Sequence, residues 1–162
     1  MGNTVPLKRT RRPRAPFRRP GRGVSWRHWY ITLLGLKVQE TATLLTEIQK
    51  GLAFDAWEHF IQNTDLRKED AIGLVQITSR TLSRRKEEGR LHPEESDRLI
   101  RAARLFAQAA DLFEGDVESA RKWLAAPQPG LGGAIPIEYA ATEVGAREVE
   151  GLLGRLEHGI PS

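Results

Sequence analysis

The sequence predicts an all-α protein in which a helix-turn-helix region is joined by a long helix to a small helical module. Three observations predict it. Between Trp26 and Gly159 the apolar residues recur at helical spacings, and no alternating stretch of strand type, β-hairpin signal or internal repeat interrupts them. Glycines such as Gly51, Gly89 and Gly159 stand where helices would end. One run, Ser79 to Gly89, holds Leu82 as its single fully apolar residue among serines, a threonine and arginines.

Composition narrows the field. A chain of 162 residues supports one domain, or two small ones sharing a core. No run approaches the roughly 18 apolar residues that cross a bilayer. The basic start is followed by no apolar run of signal-peptide type, so secretion is not expected and a cytoplasmic protein is. The absence of cysteine excludes disulfides, thiolate catalysis, and thiolate-ligated zinc or iron–sulfur centres. The net charge of +4 conceals an asymmetry. Residues 1–23 carry 8 basic side chains and no acid, residues 24–106 carry 13 basic and 12 acidic, and residues 107–162 carry 4 basic and 9 acidic. A polyanion-seeking start and an acidic end imply two different partners.

These shifts divide the chain into an arm (1–23), an N-terminal helical region (24–106) and a C-terminal module (107–162). The arm mixes Pro6, Pro13, Pro16 and Pro20 with arginines, a composition that cannot close a core and is expected to be disordered. It reads equally as a tether for a phosphate backbone, as a solvated tail, or as the product of a start codon placed too far upstream.

From Trp26 the pattern becomes globular. Trp26, Trp29, Tyr30, Leu33 and Leu34 fit one helical face ended near Gly35, with the tryptophans as core anchors. Leu44, Leu45 and Ile48 fit a second helix stopped by Lys50-Gly51. Phe54, Trp57, Phe60 and Ile61 form the stripe of a third, closed by the polar breakers Asn63-Thr64-Asp65. A short helix with Ala71, Leu74 and Val75 inward follows, then the tight connection Gln76-Ile77-Thr78, where Thr78 or Ser79 caps the next helix.

Two short helices joined by a few residues, the second polar and basic, carry the helix-turn-helix pattern. A recognition helix needs one buried anchor, small hydroxyl residues near its N-terminus, and arginines able to grip guanine with two hydrogen bonds. Ser79, Arg80, Thr81, Arg84 and Arg85 meet that requirement as candidate DNA contacts. An ordinary solvated helix face meets it as well, and Glu87 and Glu88 favour that reading at the C-terminal end.

Pro93 fits the first turn of a long helix near 93–114, with Glu94 and Glu95 at the positive end of its dipole and Leu99, Ala103, Phe106, Ala110 and Phe113 inward. Arg98, Arg101 and Arg104 fall off that stripe and read as solvated charges. Gly115-Asp116 breaks the helix, and Asp116 caps a short one facing inward with Val117, Ala120, Trp123 and Leu124. Pro127 and Pro129 enforce a loop. Pro136 begins another helical turn that Gly145 interrupts. Val149, Leu152, Leu153 and Leu156 line the last helix, ended by Gly159.

Reaction chemistry is missing from this pattern. The histidines at 28, 59, 92 and 158 form no i,i+4 pair and no triad with carboxylates, so no metal is expected. Gly130-Leu131-Gly132-Gly133 is glycine-rich, but no Lys-Ser/Thr follows it, and the serines lie in no nucleophile-elbow context. Neither an enzyme nor a cofactor is expected.

In order and spacing, the chain from about Trp29 to Gly159 resembles the Xre/ParS/MbcA-type antitoxins of bacterial RES–Xre toxin–antitoxin modules. The matching words are Thr81-Leu82-Ser83-Arg84-Arg85-Lys86 with Gly89 and Leu91, Glu95-Ser96-Asp97-Arg98-Leu99, Phe113 with Gly115-Asp116, and Ala120 with Trp123-Leu124. Leu131-Gly132-Gly133, Pro136-Ile137 and Gly154-Arg155-Leu156-Glu157-His158-Gly159 complete the set. The resemblance implies an Xre-like helix-turn-helix and a C-terminal toxin-binding domain. It implies a type II antitoxin whose partner is a RES-domain toxin that consumes NAD⁺, inhibited by occlusion of its active site. It also implies binding to operator DNA, repression of its own operon, and a homodimer within a larger toxin–antitoxin assembly. By motif, Leu131, Gly132, Gly133, Pro136, Arg155, His158 and Gly159 fall in the toxin-binding part. The competing reading is a stand-alone DNA-binding transcriptional regulator whose C-terminal module serves dimerisation.

Three features depart from the family pattern: the arginine-rich arm, the additional Glu114 before Gly115-Asp116, and Ile137-Glu138-Tyr139 in place of a Leu-Asp-Leu type run. An acidic module could compete with anionic NAD⁺ phosphates for a basic pocket. Arg155 could instead mimic the cationic nicotinamide side or pair with an acidic catalytic residue. The sequence leaves these alternatives open.

Overall fold

The computed structural model describes residues 26–38 and 40–160, and the arm expected over residues 1–23 lies outside them. Among the described residues all regular structure is helical, apart from one isolated antiparallel bridge between Ala53 and Arg90. The chain runs through α1 (Trp26–Leu33), α2 (Thr41–Lys50), α3 (Asp55–Thr64), α4 (Lys68–Val75), α5 (Ser79–Glu88), α6 (Pro93–Leu112) and α7 (Val117–Leu124). A 3₁₀ turn at Pro129–Leu131 then leads to α8 (Pro136–Tyr139) and α9 (Glu143–Glu157).

The 20-residue α6 is the axis on which the rest is hung. Helices α1, α2, α3 and α4 pack on it from one side of the sequence, α7 and α9 from the other. Its Leu99, Ala102, Ala103, Leu105, Phe106, Ala107, Ala109 and Ala110 are all buried. A helix whose second half is buried this fully uses small side chains so that neighbouring helices can approach closely on several faces. The boundary expected between residues 106 and 107 therefore falls inside one continuous, buried helix. A single core runs from Trp29 and Leu33 of α1 and the following Leu34 through Phe60 and Phe106 to Val149 and Leu153 of α9.

Most inward positions follow the apolar stripes, and the exceptions have local causes. Leu44 is buried, but Leu45, expected beside it, is 55% exposed, because α2 turns only one narrow face toward α6. Phe54 is buried but precedes α3 as its N-cap residue. Leu156 is only half-buried. Arg98 is not a solvated charge: its Nε donates 2.8 Å to the Val75 carbonyl, satisfying an acceptor left open at the end of α4. The last helix also differs from expectation. Gly145 does not interrupt a helix but lies in the first turn of α9, where its N–H donates 3.0 Å to the capping Thr142 Oγ1.

The additional Glu114 has a structural place. Helix α6 ends with Glu114 in the left-handed region (φ 55°), the Glu114 N–H donating to Asp111 O at 2.9 Å and the Gly115 N–H to Ala110 O at 2.7 Å. This is the paired closure of a Schellman motif, with glutamate occupying the position that glycine ordinarily fills. Asp116 then caps α7, accepting from the Ser119 N–H at 3.1 Å and the Ser119 hydroxyl at 2.6 Å. Those two hydrogen bonds hold its carboxyl below the usual range.

Candidate nucleic-acid interface and partner-binding module

The α4–α5 pair forms the helix-turn-helix. Helix α4 closes with Gln76 left-handed (φ 51°), its N–H on Gly73 O at 3.3 Å and the Ile77 N–H on Ile72 O at 3.2 Å. Buried Ile77 plugs the turn. Thr78 caps α5: its Oγ1 accepts from the Thr81 N–H at 3.1 Å and donates to Thr81 Oγ1 at 2.9 Å. Such a cap contributes about 1 kcal/mol and fixes where the helix starts.

On α5 the structure separates the residues that sequence reasoning grouped together. Ser79, Arg80 and Arg84 are exposed, and Ser83 shares their face, a hydroxyl that was not among the candidates although it sits one turn after Ser79. Thr81 is half-buried, its hydroxyl engaged in the cap. Arg84 is only loosely tied, its Nε 3.9 Å from an exposed Glu88 oxygen, a pairing weak enough for the side chain to redirect.

The expectation for Arg85 is corrected. Its residue is 4% exposed and its guanidinium points away from the open face. Arg85 Nε donates to both Glu95 oxygens at 3.0 and 2.8 Å, Nη2 donates to Glu95 Oε1 at 2.9 Å, and Nη1 donates to Glu88 Oε2 at 3.0 Å. The His92 Nδ1 lies 3.0 Å from Nη2, placed to accept from it. Leu82 and Arg85 are the only buried residues of α5, so of the five candidate contacts Ser79, Arg80 and Arg84 are outward, Thr81 is half-buried and Arg85 is a tie to α6.

Glu95 completes the tie by accepting the His92 N–H at 2.8 Å, which closes the first turn of α6. Burial alone would raise the Glu95 carboxyl. The hydrogen bonds from the Arg85 guanidinium and the His92 N–H outweigh it and hold the group below its ordinary value. A carboxyl depressed in the folded state stabilises fully above its unfolded value, about 4.3, and ceases to as pH falls through the lower folded value. The stability gap between the native chain and Glu95→Gln should therefore narrow progressively below about pH 4 in urea titrations. A gap that stays constant with pH would rule out an ionised Glu95.

The C-terminal module presents a different surface. Gln128 staples its loop: Nε2 donates to Trp123 O and Ala126 O at 3.0 and 3.1 Å, while the Gln128 O accepts from the Leu131 and Gly133 N–H groups at 3.0 Å each. Leu131 is half-buried, and the 3₁₀ turn that it ends packs on α9. Gly132 and Gly133 are exposed. Pro136, expected to reach a partner, is buried as the first residue of α8, where it starts the helix and offers no free surface. At the far end α9 closes with Gly159 left-handed (φ 66°), the Ile160 N–H on Arg155 O at 2.9 Å and the Gly159 N–H on Leu156 O at 3.2 Å. Arg155 is half-buried and lies back along the helix toward Gly151, while His158 and Gly159 are exposed.

Three further residues belong to the surface, of which Tyr139 lies in the departing Ile137-Glu138-Tyr139 run and the other two escaped the sequence reading. Tyr139 is 43%, Val144 74% and Ile160 52% exposed, and large apolar side chains in that state are available to a partner. Val144 falls off the α9 stripe and Ile160 follows the helix-ending glycine, which is the signal that could have found them. With α9 about 22 Å long at 1.5 Å per residue, Val144 and Ile160 mark its opposite ends. Among the described residues no group of three or more histidine and carboxylate side chains could hold a metal ion, and no helix is long and apolar enough to cross a membrane.

A helix-turn-helix sharing one core with a second helical module is the architecture of a two-part DNA-binding regulator. Comparison with known proteins makes both halves specific. Residues 43–104 match the "Antitoxin Xre-like helix-turn-helix domain", and residues 108–159 match the "Antitoxin Xre/MbcA/ParS C-terminal toxin-binding domain". The chain is 38% identical over 128 residues to Antitoxin Xre of Yersinia enterocolitica, covering 78% of this chain and 86% of that one. It is 40% identical over 104 residues to Antitoxin Xre of Photorhabdus laumondii, covering 63% and 70%. A more distant relative, 26% identical over 121 residues (69% and 76% of the two chains), is the "Prs ADP-ribosylating antitoxin" of a Sphingobium species. The chain belongs to the Xre family of antitoxins.

Proposed function

We propose that this antitoxin neutralises a RES-domain toxin that degrades NAD⁺, lying across its active site through the C-terminal domain, and represses its own operon through α4–α5. The observation that carries the toxin half is the acid-rich C-terminal domain, which leaves the Gly132–Gly133 turn, His158, Gly159 and Ile160 open around a rigidly closed helix end. A pocket that attracts the phosphates of NAD⁺ must be electropositive, and an acidic surface competes for it. The name of the Sphingobium relative couples an antitoxin to ADP-ribosylation, a chemistry that consumes NAD⁺. In this reading the antitoxin is not itself a catalyst, acts as a homodimer inside a hetero-oligomeric complex, and works in the cytoplasm.

The test is co-expression with a RES-type protein encoded beside it. The toxin alone should arrest growth and deplete NAD⁺, and the native antitoxin should restore both. Ile160→Glu, which places a charge at the exposed helix end, should weaken the complex by at least tenfold. Failure of the native chain to relieve arrest would overturn the assignment.

For the DNA half, Arg84 and Arg80 are the arginines of α5 free to reach a duplex, with the α5 N-terminus and its hydroxyls available to a phosphate. Arg84→Ala should weaken binding to the DNA upstream of the gene by about 1–3 kcal/mol if it reads a base. If it contacts phosphate, the salt dependence should fall by about one unit of slope. Unchanged affinity and slope would remove α5 from the interface.

A further inference from the structure

We infer that Arg85 is a positioning residue for the recognition helix, setting how α5 is presented to DNA through its ion pair with Glu95 rather than by touching DNA. The inference rests on the reading of α5 as the DNA-contacting helix. Three observations carry it. First, α5 has almost no apolar anchorage: Leu82 and Arg85 are its only buried residues, and one leucine cannot fix both the tilt of a helix and its rotation about its axis. Second, the Arg85 guanidinium grips the Glu95 carboxylate at 2.8–3.0 Å, and a planar fork on a planar carboxylate constrains orientation as well as distance. Third, the carboxylate is itself held: Glu95 accepts from the His92 N–H, and the next residue, buried Ser96, accepts from the Leu52 N–H and donates to the His92 carbonyl, each at 2.8 Å. The chain of contacts thus runs from the outward face of α5, through Arg85, to the rigid first turn of α6.

The geometry gives Arg84 and Arg85, neighbours of the same type in one helix, opposite duties. Arg84 points outward and is exposed, with only a loose partner. Arg85 points inward and spends its guanidinium on Glu95, Glu88 and His92. A register-setting role for a buried charged pair is the best-attested use of such pairs. Its consequence here is discrimination: a recognition helix free to rock keeps its phosphate attraction but loses the alignment that reads base edges.

The experiment compares Arg85→Lys, Glu95→Gln and the exchanged pair Arg85→Glu/Glu95→Arg with Arg84→Ala in the full-length chain. Fluorescence anisotropy would measure affinity for the duplex upstream of the gene and for sheared non-specific DNA, well below each variant's melting temperature. Both single variants at the pair should lose five- to tenfold in the ratio of specific to non-specific affinity, with the salt slope unchanged. The exchanged pair should recover part of that ratio. Two controls come from the sign of the effects. Removing the Glu95 charge would tighten DNA binding if only net charge mattered, and a smaller folded fraction would lower both affinities equally. A ratio that no pair variant changes would overturn the positioning role. Absence of DNA binding by the native chain would overturn it together with the reading of α5 on which it rests.

Discussion

Glu95→Ala should cost about 3 kcal/mol and lower the melting temperature by roughly 6–12 °C for a chain of this size. The variant strips the carboxylate from the guanidinium of Arg85, a side chain 5% exposed that ties α5 to α6. Removing one partner of a buried ion pair leaves an uncompensated charge, and the usual cost is about 3–5 kcal/mol. The lower end applies because Glu88 Oε2, 3.0 Å from Nη1, remains as a second acceptor. The variant also loses the acceptor of the His92 N–H at the start of α6. Replacing both members by apolar residues, as in Arg85→Met/Glu95→Leu, should be milder than Glu95→Ala alone, because no charge is then stranded. Urea denaturation of the three proteins checks this. A double variant less stable than the single would mean that the pair contributes net stability beyond mutual compensation.

Gly145→Ala should destabilise the toxin-binding domain by about 3 kcal/mol and abolish toxin neutralisation near the melting temperature. A Cβ placed on Gly145 would stand 1.8 Å from the Tyr139 carbonyl oxygen and 2.8 Å from its carbon. The obstacle is backbone, so the clash cannot be relieved by turning a side chain. Helix α9 must move away from α8, and α8 packs on α4, α7 and α9. Gly154→Ala, on the same helix, is the matched control: nothing lies within 4 Å of its added Cβ. It should stabilise by about 0.5–1 kcal/mol through helix propensity alone. Thermal melts of the two variants should therefore shift in opposite directions, and a Gly145→Ala protein as stable as the native one would show that α8 and α9 separate without cost.

The elements themselves were legible because each has a local cause. Apolar stripes, the Thr78 and Asp116 caps, Pro93 at the first turn and Gly89 after the last residue of α5 all act within a few positions of chain. What pattern could not supply was the partner of a charge. Arg85 and Glu95 lie ten residues apart with a helix boundary between them, and nothing in the composition of α5 distinguishes the inward arginine from the outward one except its spacing of three from Leu82. Gly145 was misread for a related reason. A glycine signals a helix end when it relieves the backbone, but here it makes room for a neighbouring backbone, and only the packed structure reveals which. Pro136 was correctly placed at a helix start, yet its burial removed it from the accessible surface. Of the candidate contacts, Ser79, Arg80 and Arg84 on α5 and Gly132, Gly133, His158 and Gly159 around α9 remain exposed.

The burial of α6 has a consequence for how the molecule is destroyed. Two-module proteins are ordinarily cut where an extended joint fits a protease, but here the join between the two matched domains lies within a helix whose residues 102, 103, 105, 106, 107, 109 and 110 are all buried. To cleave there, a protease must wait for α6 to melt, and melting α6 removes the surface on which α1, α7 and α9 rest. Clipping between the modules is then governed by the population of largely unfolded chain. Loss of DNA binding and loss of toxin restraint should follow a single time course under limited proteolysis.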